Sequence, residues 1–114
     1  MGNELLTPLS MHILLALADR RMHGYAIMQA VEGQSGGTVR PGTGSLYAAL
    51  QRLLDDGLIA IAEEDAGSSR RGNSYEITEP GSRAVLEEAE RMRQVLTLVT
   101  ERDLVTDTDG RGAR

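Results

Sequence analysis

The residues best suited to chemistry lie together in residues 40–59, RPGTGSLYAALQRLLDDGLI, and the chemistry that they suit is hydrogen bonding. Hydroxyl, carboxamide and guanidinium groups contact the phosphates and base edges of DNA. Gly42 and Gly44 keep the start of the segment small, and the free N–H groups of a helix N-terminus favour phosphate. The side chains that would face such a partner are Arg40, Thr43, Ser45, Tyr47, Ala48, Gln51 and Arg52.

No comparable arrangement suits catalysis or metal binding. His12 and His23 have no partner at metal-ligand spacing, and the chain contains no cysteine. The run at residues 42–44 lacks the later glycine or the lysine of a nucleotide-binding loop. Acidic pairs at residues 63–64 and 87–88 are typical of a solvated surface. We therefore expect a protein that is not an enzyme and that needs no metal and no cofactor.

A helix is needed to position the polar segment. Leu46, Leu50 and Leu53 recur at i, i+4 and i+7, which is the spacing of an apolar stripe facing a core. The helix is predicted over residues 43–56, and Gly57 ends it. The opposite face then stays free for a partner.

Two further helices are predicted upstream. Thr7 is a capping residue and Pro8 suits the first helical position, so the first helix should run from about Pro8 to Ala18 or Asp19. This helix is almost wholly apolar and should be buried on all sides, so in so small a domain we expect a second subunit to cover it. Residues 19–22 form a polar turn, after which a second helix opens at residues 23–25.

The chain downstream of residue 57 is predicted to form a hairpin. Residues 58–64 and 74–78 have strand character, and residues 65–73 form a polar loop that carries Arg70 and Arg71. Three helices followed by a hairpin make a winged helix-turn-helix. The arginine pair suits contact with a phosphate backbone, although Ser/Gly/Arg loops are also common on ordinary surfaces.

A long helix is predicted over residues 79–103, with Thr78 as its cap. Its apolar residues recur at heptad-like spacing, and so long a helix exceeds what a small domain can cover. A partner's helix is the favoured cover, which predicts a symmetric homodimer; the alternative is a helix lying across its own domain. The seam residues are Val85, Ala89, Met92, Leu96 and Val99. Residues 104–114 are predicted to be disordered.

The composition limits the size of the core, the nature of the interface and the location of the protein. A chain of 114 residues without Phe or Trp forms one small aliphatic core. The net charge of −5 counts against nucleic-acid binding, so the interface must depend on where the arginines lie. We find no targeting or membrane-spanning segment and expect a soluble, cytoplasmic protein.

Four segments in order carry a resemblance to the PadR family of transcriptional regulators: LTPLSMHILLALAD at 6–19, HGYAIMQAVE at 23–32, VRPGTGSLYAALQRLLDDGLI at 39–59 and RRGNSYEITEPGSRAV at 70–85. The resemblance is to the short type with a single C-terminal helix. It implies a dimeric, double-stranded DNA-binding protein, in most members a repressor, and in several one that a small molecule releases from DNA.

Carried onto this sequence, the resemblance implies mainly α architecture with a small β-hairpin. Residues 1–78 are then the winged helix-turn-helix and 79–103 the dimerisation helix. Gly24 of the HGY motif is expected to be small for steric reasons, and Tyr47 is a DNA contact, a half-buried core residue or both. Gln51 and Arg52 either reach base edges or lie on a solvated face, where Arg52 would pair with Asp56.

The apolar seam of the last helix, the polar segment at residues 40–59 and the family resemblance together predict the site residues. The DNA operator is expected to be palindromic. The DNA-binding set is Arg40, Thr43, Ser45, Tyr47, Ala48, Gln51, Arg52, Arg70 and Arg71. The dimer interface is Leu9, Ile13, Val85, Ala89, Met92, Leu96 and Val99. Leu14, Met92 and Leu96 line either a pocket for a hydrophobic effector or, as favoured, a closed dimer core. The contrasting function is a winged-helix adaptor that binds proteins and not DNA.

Overall fold

The computed structural model describes residues 6–62 and 72–104, and this part of the chain forms four helices and three short strands. The elements in order are α1 Pro8–Asp19, β1 Met22–His23, α2 Gly24–Gln34, α3 Thr43–Asp55, β2 Ile59–Ile61, β3 Ser74–Ile77 and α4 Glu79–Glu101. The strands form one antiparallel sheet in the order β1-β3-β2. The predicted class, mainly α with a small β-hairpin in a winged helix-turn-helix followed by a long C-terminal helix, is confirmed, and the strands of the hairpin belong to a three-stranded sheet.

Helix α1 begins where the sequence predicts and is the centre of the core. The Thr7 hydroxyl accepts a hydrogen bond of 3.0 Å from the Ser10 N–H, with Pro8 in the first turn. Ile13 and Leu14 are fully buried, because α2, α3, α4 and β3 of the same chain pack around the helix. The expectation that a second subunit covers α1 is therefore wrong for most of its surface: of its large apolar side chains only Leu15 is exposed.

The sheet contains a strand that the sequence prediction missed. The sequence predicted that Met22 ends a polar turn and that His23 starts a helix. In the structure, these two residues pair with Tyr75 and Ser74 of β3. Two residues are too few to show the alternation that identifies a strand. Their pairing joins the start of α2 to the wing formed by β2 and β3. The rest of the wing loop, including Arg70 and Arg71, lies outside the described residues.

The wing and α4 are joined to the end of α3 through Thr78. Its hydroxyl donates to the Gly57 carbonyl at 2.7 Å and accepts from the Gly81 N–H at 3.1 Å, so one side chain contacts the end of α3 and caps α4. Gly57 has the left-handed φ of 77° that favours glycine and ends α3 as predicted. Gly81 lies against the Leu58 carbonyl so closely that a Cβ would overlap it.

Helix α4 uses one face in two different ways. The helix has 23 residues and is about 34 Å long. In its first half this face packs on the domain, with Gly81 and Glu88 buried and Val85 partly buried. In its second half the face continues beyond the domain. Met92 is 50% exposed there and Leu96 is 60% exposed. The alternative of a helix covered by its own domain therefore holds only for the first half.

Candidate nucleic-acid interface

Helix α3 divides cleanly into a buried face and an exposed one. Leu46, Leu50 and Leu53 are at most 2% exposed, as the apolar stripe predicts. The described members of the predicted DNA-binding set are all exposed: Arg40, Thr43, Ser45, Tyr47, Ala48, Gln51 and Arg52. One short helix thus contributes both to the core and to a polar surface, which is what a recognition helix requires.

The residues farthest from the core form a line along α3. With about 100° of rotation per residue, Gly44, Ala48, Gln51 and Asp55 lie opposite the buried leucines. The first two are small, so the backbone there is the part of the helix that a large partner can approach most closely. Gln51 is the first long side chain on this line.

The two helices that meet at this surface begin without a side-chain cap. His23 precedes α2 and Gly42 precedes α3, and neither accepts a hydrogen bond from the following N–H groups through its side chain. Threonines cap α1 and α4. The first N–H groups of α2 and α3 therefore keep the capacity to bind an acceptor.

Tyr47 is both a packing residue and a surface residue. Its side chain is 43% exposed, while its hydroxyl end lies against Gly24, the first residue of α2. A Cβ at position 24 would overlap the hydroxyl and lie 2.7 Å from Cζ of Tyr47. The expectation that Gly24 is small for steric reasons is confirmed. The two alternatives for Tyr47 do not exclude each other, because only part of the ring is covered.

Tyr25 is an exposed aromatic residue to which the sequence analysis gave no role. It is 67% exposed on the first turn of α2, directly after Gly24. The Gln29 side-chain amide donates to its hydroxyl at 3.3 Å, which leaves the hydroxyl proton free to donate outward. The signal available in the sequence was a Tyr and a Gln at i,i+4 spacing on a predicted helix.

Acidic residues engage two members of the predicted set. The Gln51 amide donates to Oδ1 of Asp55 at 2.9 Å, and the Arg40 guanidinium lies 3.3 Å from Glu32 of α2. Arg52 does not form the alternative pair with Asp56, nor an ion pair with any other described residue. Its guanidinium is therefore exposed and, among the described residues, without an acidic partner.

The predicted dimer and pocket residues are not all available to a partner. Ile13 and Leu14 are fully enclosed by their own domain. Ile13 is therefore not available to a partner subunit, and Leu14 is not available to line an effector pocket. The reason is that α1 faces α2, α3 and the sheet, which a single-helix pattern cannot show. Leu9 and Val85 are partly buried against the core, Val99 is partly buried, and Ala89, Met92 and Leu96 are exposed on α4.

Comparison with known proteins identifies the family of this chain. Residues 13–88 match the model of the Transcriptional regulator PadR-like family. A 37.1 kDa protein of transposon TN4556 in Streptomyces fradiae is 40% identical over 91 residues, which is 80% of this chain and 25% of that protein. The Escherichia coli K12 transcriptional regulator YqjI is 30% identical over 83 residues, 73% of this chain and 38% of that protein. This chain thus spans well under half the length of these relatives.

Solved structures share the fold. RosR of H. salinarum is 28% identical, with a TM-score of 0.62 over 85% of this chain and 93% of that one. A PadR family transcription regulator from Clostridium difficile R20291 is 19% identical, with a TM-score of 0.67 over 83% of this chain and 97% of that one. None of the helices in the described ranges is long and apolar enough to cross a membrane.

We expect the contact between Gly24 and Tyr47 to appear as an energetic coupling. Gly24→Ala places a Cβ against the tyrosine hydroxyl and should lower the free energy of unfolding by about 1–3 kcal/mol. Combining it with Tyr47→Ala removes the obstructing ring, so the double variant should lose less than the sum of the single losses. Urea denaturation of the four proteins measures this. Gly33→Ala, where a Cβ meets nothing within 4 Å, is the control, and strict additivity would contradict the contact.

Proposed function

The chain belongs to the PadR-like family of transcriptional regulators, and on that premise we propose that it is a homodimer that binds palindromic double-stranded DNA and represses transcription. The observation that carries the proposal is the division of α3: a fully buried leucine face opposite an exposed polar face. The family regulates transcription and is not a family of enzymes. Residues 1–78 form the DNA-binding unit and residues 79–103 the dimerisation helix.

The proposed binding mode places α3 in the major groove. Gln51 and Arg52 are exposed and long enough to reach base edges, and Ala48 offers a methyl group to a thymine methyl. Thr43 and Ser45 lie in the first turn, where hydroxyls and free N–H groups suit phosphate. The hydroxyl protons of Tyr25 and Tyr47 are further phosphate donors beside the start of α2.

Electrostatics permit this mode despite the net charge of −5. If Arg40, Arg52, Arg70 and Arg71 of both subunits all contacted phosphates, up to about eight phosphates would be neutralised, and the log–log salt slope would be about −7; base contacts by Arg52 would make the slope shallower. Arg40 is paired with Glu32 on the surface, where such pairs contribute little and can be exchanged for phosphate.

The proposed dimer contact is the outer half of α4. The face that packs on the domain through Val85 and Glu88 continues as Met92, Leu96 and Val99, and beyond the domain no described residue of the same chain covers Met92 and Leu96, which favours a partner's helix as the cover. A two-fold axis through this face makes the contact self-complementary. The proposed dimer would present its two α3 helices to successive major grooves on one face of the DNA, and the half-sites of the palindrome would then lie about 34–36 Å apart. A closed apolar contact between Met92 and Leu96 of both subunits is the favoured arrangement. We propose that a hydrophobic small molecule regulates the protein by releasing it from DNA.

We expect Gln51→Ala to relax base preference. The variant should lose about 1–3 kcal/mol of discrimination at one base pair of each half-site, because the carboxamide that reads that position is gone. Footprinting of the upstream region of the protein's own gene supplies the site, and anisotropy titration with all four base pairs at each position measures the change. Gln94→Ala on α4 is the matched control. Equal loss on specific and random DNA would contradict base reading by Gln51.

The wing arginines should act on phosphates and not on bases. Arg70→Ala with Arg71→Ala removes about four phosphate contacts from a dimer, so the salt slope should become shallower by about 4 while affinity falls similarly on all sequences. Arg102→Ala, at the end of α4, is the control. An unchanged slope would refute the wing contact, and absence of any DNA binding at low salt would favour the protein-binding adaptor.

A charge on the exposed face of α4 should separate the subunits. Leu96→Glu places a carboxylate in the proposed apolar contact, where an unpaired buried charge is strongly destabilising. Sedimentation should show a folded monomer, and affinity for the palindrome should fall at least about 100-fold because one half-site is lost. Thr97→Glu, on the opposite face of α4, should leave the dimer intact. A Leu96→Glu protein that stays dimeric would refute the contact.

A further inference from the structure

The outer face of α3 carries a side-chain pair that the proposed DNA contacts leave unexplained. The Gln51 amide nitrogen donates a hydrogen bond of 2.9 Å to Oδ1 of Asp55, one helical turn further along the chain. Both side chains are exposed and lie opposite the buried leucines of the helix. An ionised carboxylate can only accept hydrogen bonds, so Asp55 binds the NH2 group of Gln51 and not its carbonyl oxygen.

Asp55 is poorly placed for a residue that only stabilises its own helix. It is the last residue of α3, and Asp56 follows as the C-cap. A carboxylate at the C-terminal end of a helix interacts unfavourably with the helix dipole, and a carboxylate on a surface that binds phosphates opposes that binding. An exposed Gln–Asp pair at i,i+4 spacing stabilises a helix only slightly. The effect of Asp55 on the Gln51 amide is therefore the feature that sets this residue apart.

The pair fixes which groups Gln51 presents to a partner. Asp55 uses one of the two amide protons, which leaves the second N–H and the carbonyl oxygen of Gln51 side by side. One donor beside one acceptor matches the major-groove edge of adenine, where N7 accepts and the N6 amino group donates. Guanine presents two acceptors there, N7 and O6, and would need both amide protons. With one proton held by Asp55, Gln51 cannot supply both.

We propose that Asp55 is a positioning residue, which makes Gln51 read an adenine in each half-site and reject guanine. This inference rests on the proposed function, in which α3 lies in the major groove. Gly44 and Ala48 are small and precede Gln51 on the same line of α3, so the helix can approach the base edges closely. Exclusion of water from that interface strengthens the bond between Gln51 and Asp55, because a hydrogen bond is electrostatically stronger at low dielectric.

The base preference of Asp55 variants tests this role. Fluorescence anisotropy on the operator gives dissociation constants with A·T and with G·C at the base pair whose preference Gln51→Ala relaxes. In Asp55→Ala the ratio of the G·C constant to the A·T constant should fall about fivefold, because the released amide can donate both protons to guanine. Asp55→Asn removes the same charge but keeps an oxygen that accepts from Gln51, so the ratio should stay within about twofold of that of the parent protein.

Asp56→Ala is the matched control, because it removes a neighbouring carboxylate that has no hydrogen bond to Gln51. It should raise affinity on all sequences alike and leave the ratio unchanged. In a Gln51→Ala background, Asp55→Ala should no longer change the ratio, since the amide that it positions is gone.

Three results would overturn the adenine reading while leaving the proposed function intact. They are a preference for a pair other than A·T at this position, equal effects of Asp55→Ala and Asp56→Ala on the ratio, and an effect of Asp55→Ala that persists without Gln51. A protein that binds all DNA sequences equally, or none, refutes the proposed function and the adenine reading together.

Discussion

The contact between Tyr47 and Gly24 determines how the two helices of the candidate interface lie against each other. Tyr47 extends from the first half of α3 to the first residue of α2, and only a residue without a Cβ leaves room for its hydroxyl end. The glycine of the HGY segment and the tyrosine of the GSLY segment are therefore two halves of one contact. Because the same tyrosine is 43% exposed, the contact that fixes α3 also forms part of the surface that we propose for DNA.

A second junction connects α3 to the rest of the chain. The Thr78 side chain bonds the carbonyl of Gly57 after α3 and the N–H of Gly81 within α4. Gly81 in turn lies directly against the Leu58 carbonyl at the start of the wing. The proposed dimer helix and the proposed recognition helix are thus joined through one short and closely packed segment. The positions of two α3 helices in a dimer would follow from how the two α4 helices meet.

Local charge matters more to this protein than its net value. Four acidic residues of the described ranges, Glu32, Glu79, Glu88 and Glu90, form ion pairs with arginines, and the Arg93 hydrogen bonds lower the pKa of Glu90. On α3, Asp55 holds the Gln51 amide, and Arg52 extends without an acidic partner among the described residues. A surface that binds DNA needs few arginines if they lie on one side, so an acidic chain and a phosphate-binding face are compatible.

The sequence by itself determined the helices and their faces. The leucine spacing at 46, 50 and 53, the caps at Thr7 and Thr78 and the stop at Gly57 act within a few residues, so local pattern was enough to place them. The motif order was enough to identify the family. Tertiary structure alone decided what each apolar surface touches. The two-residue strand at Met22 and the enclosure of Ile13 and Leu14 depend on residues distant in sequence, and periodicity carries no information about such contacts.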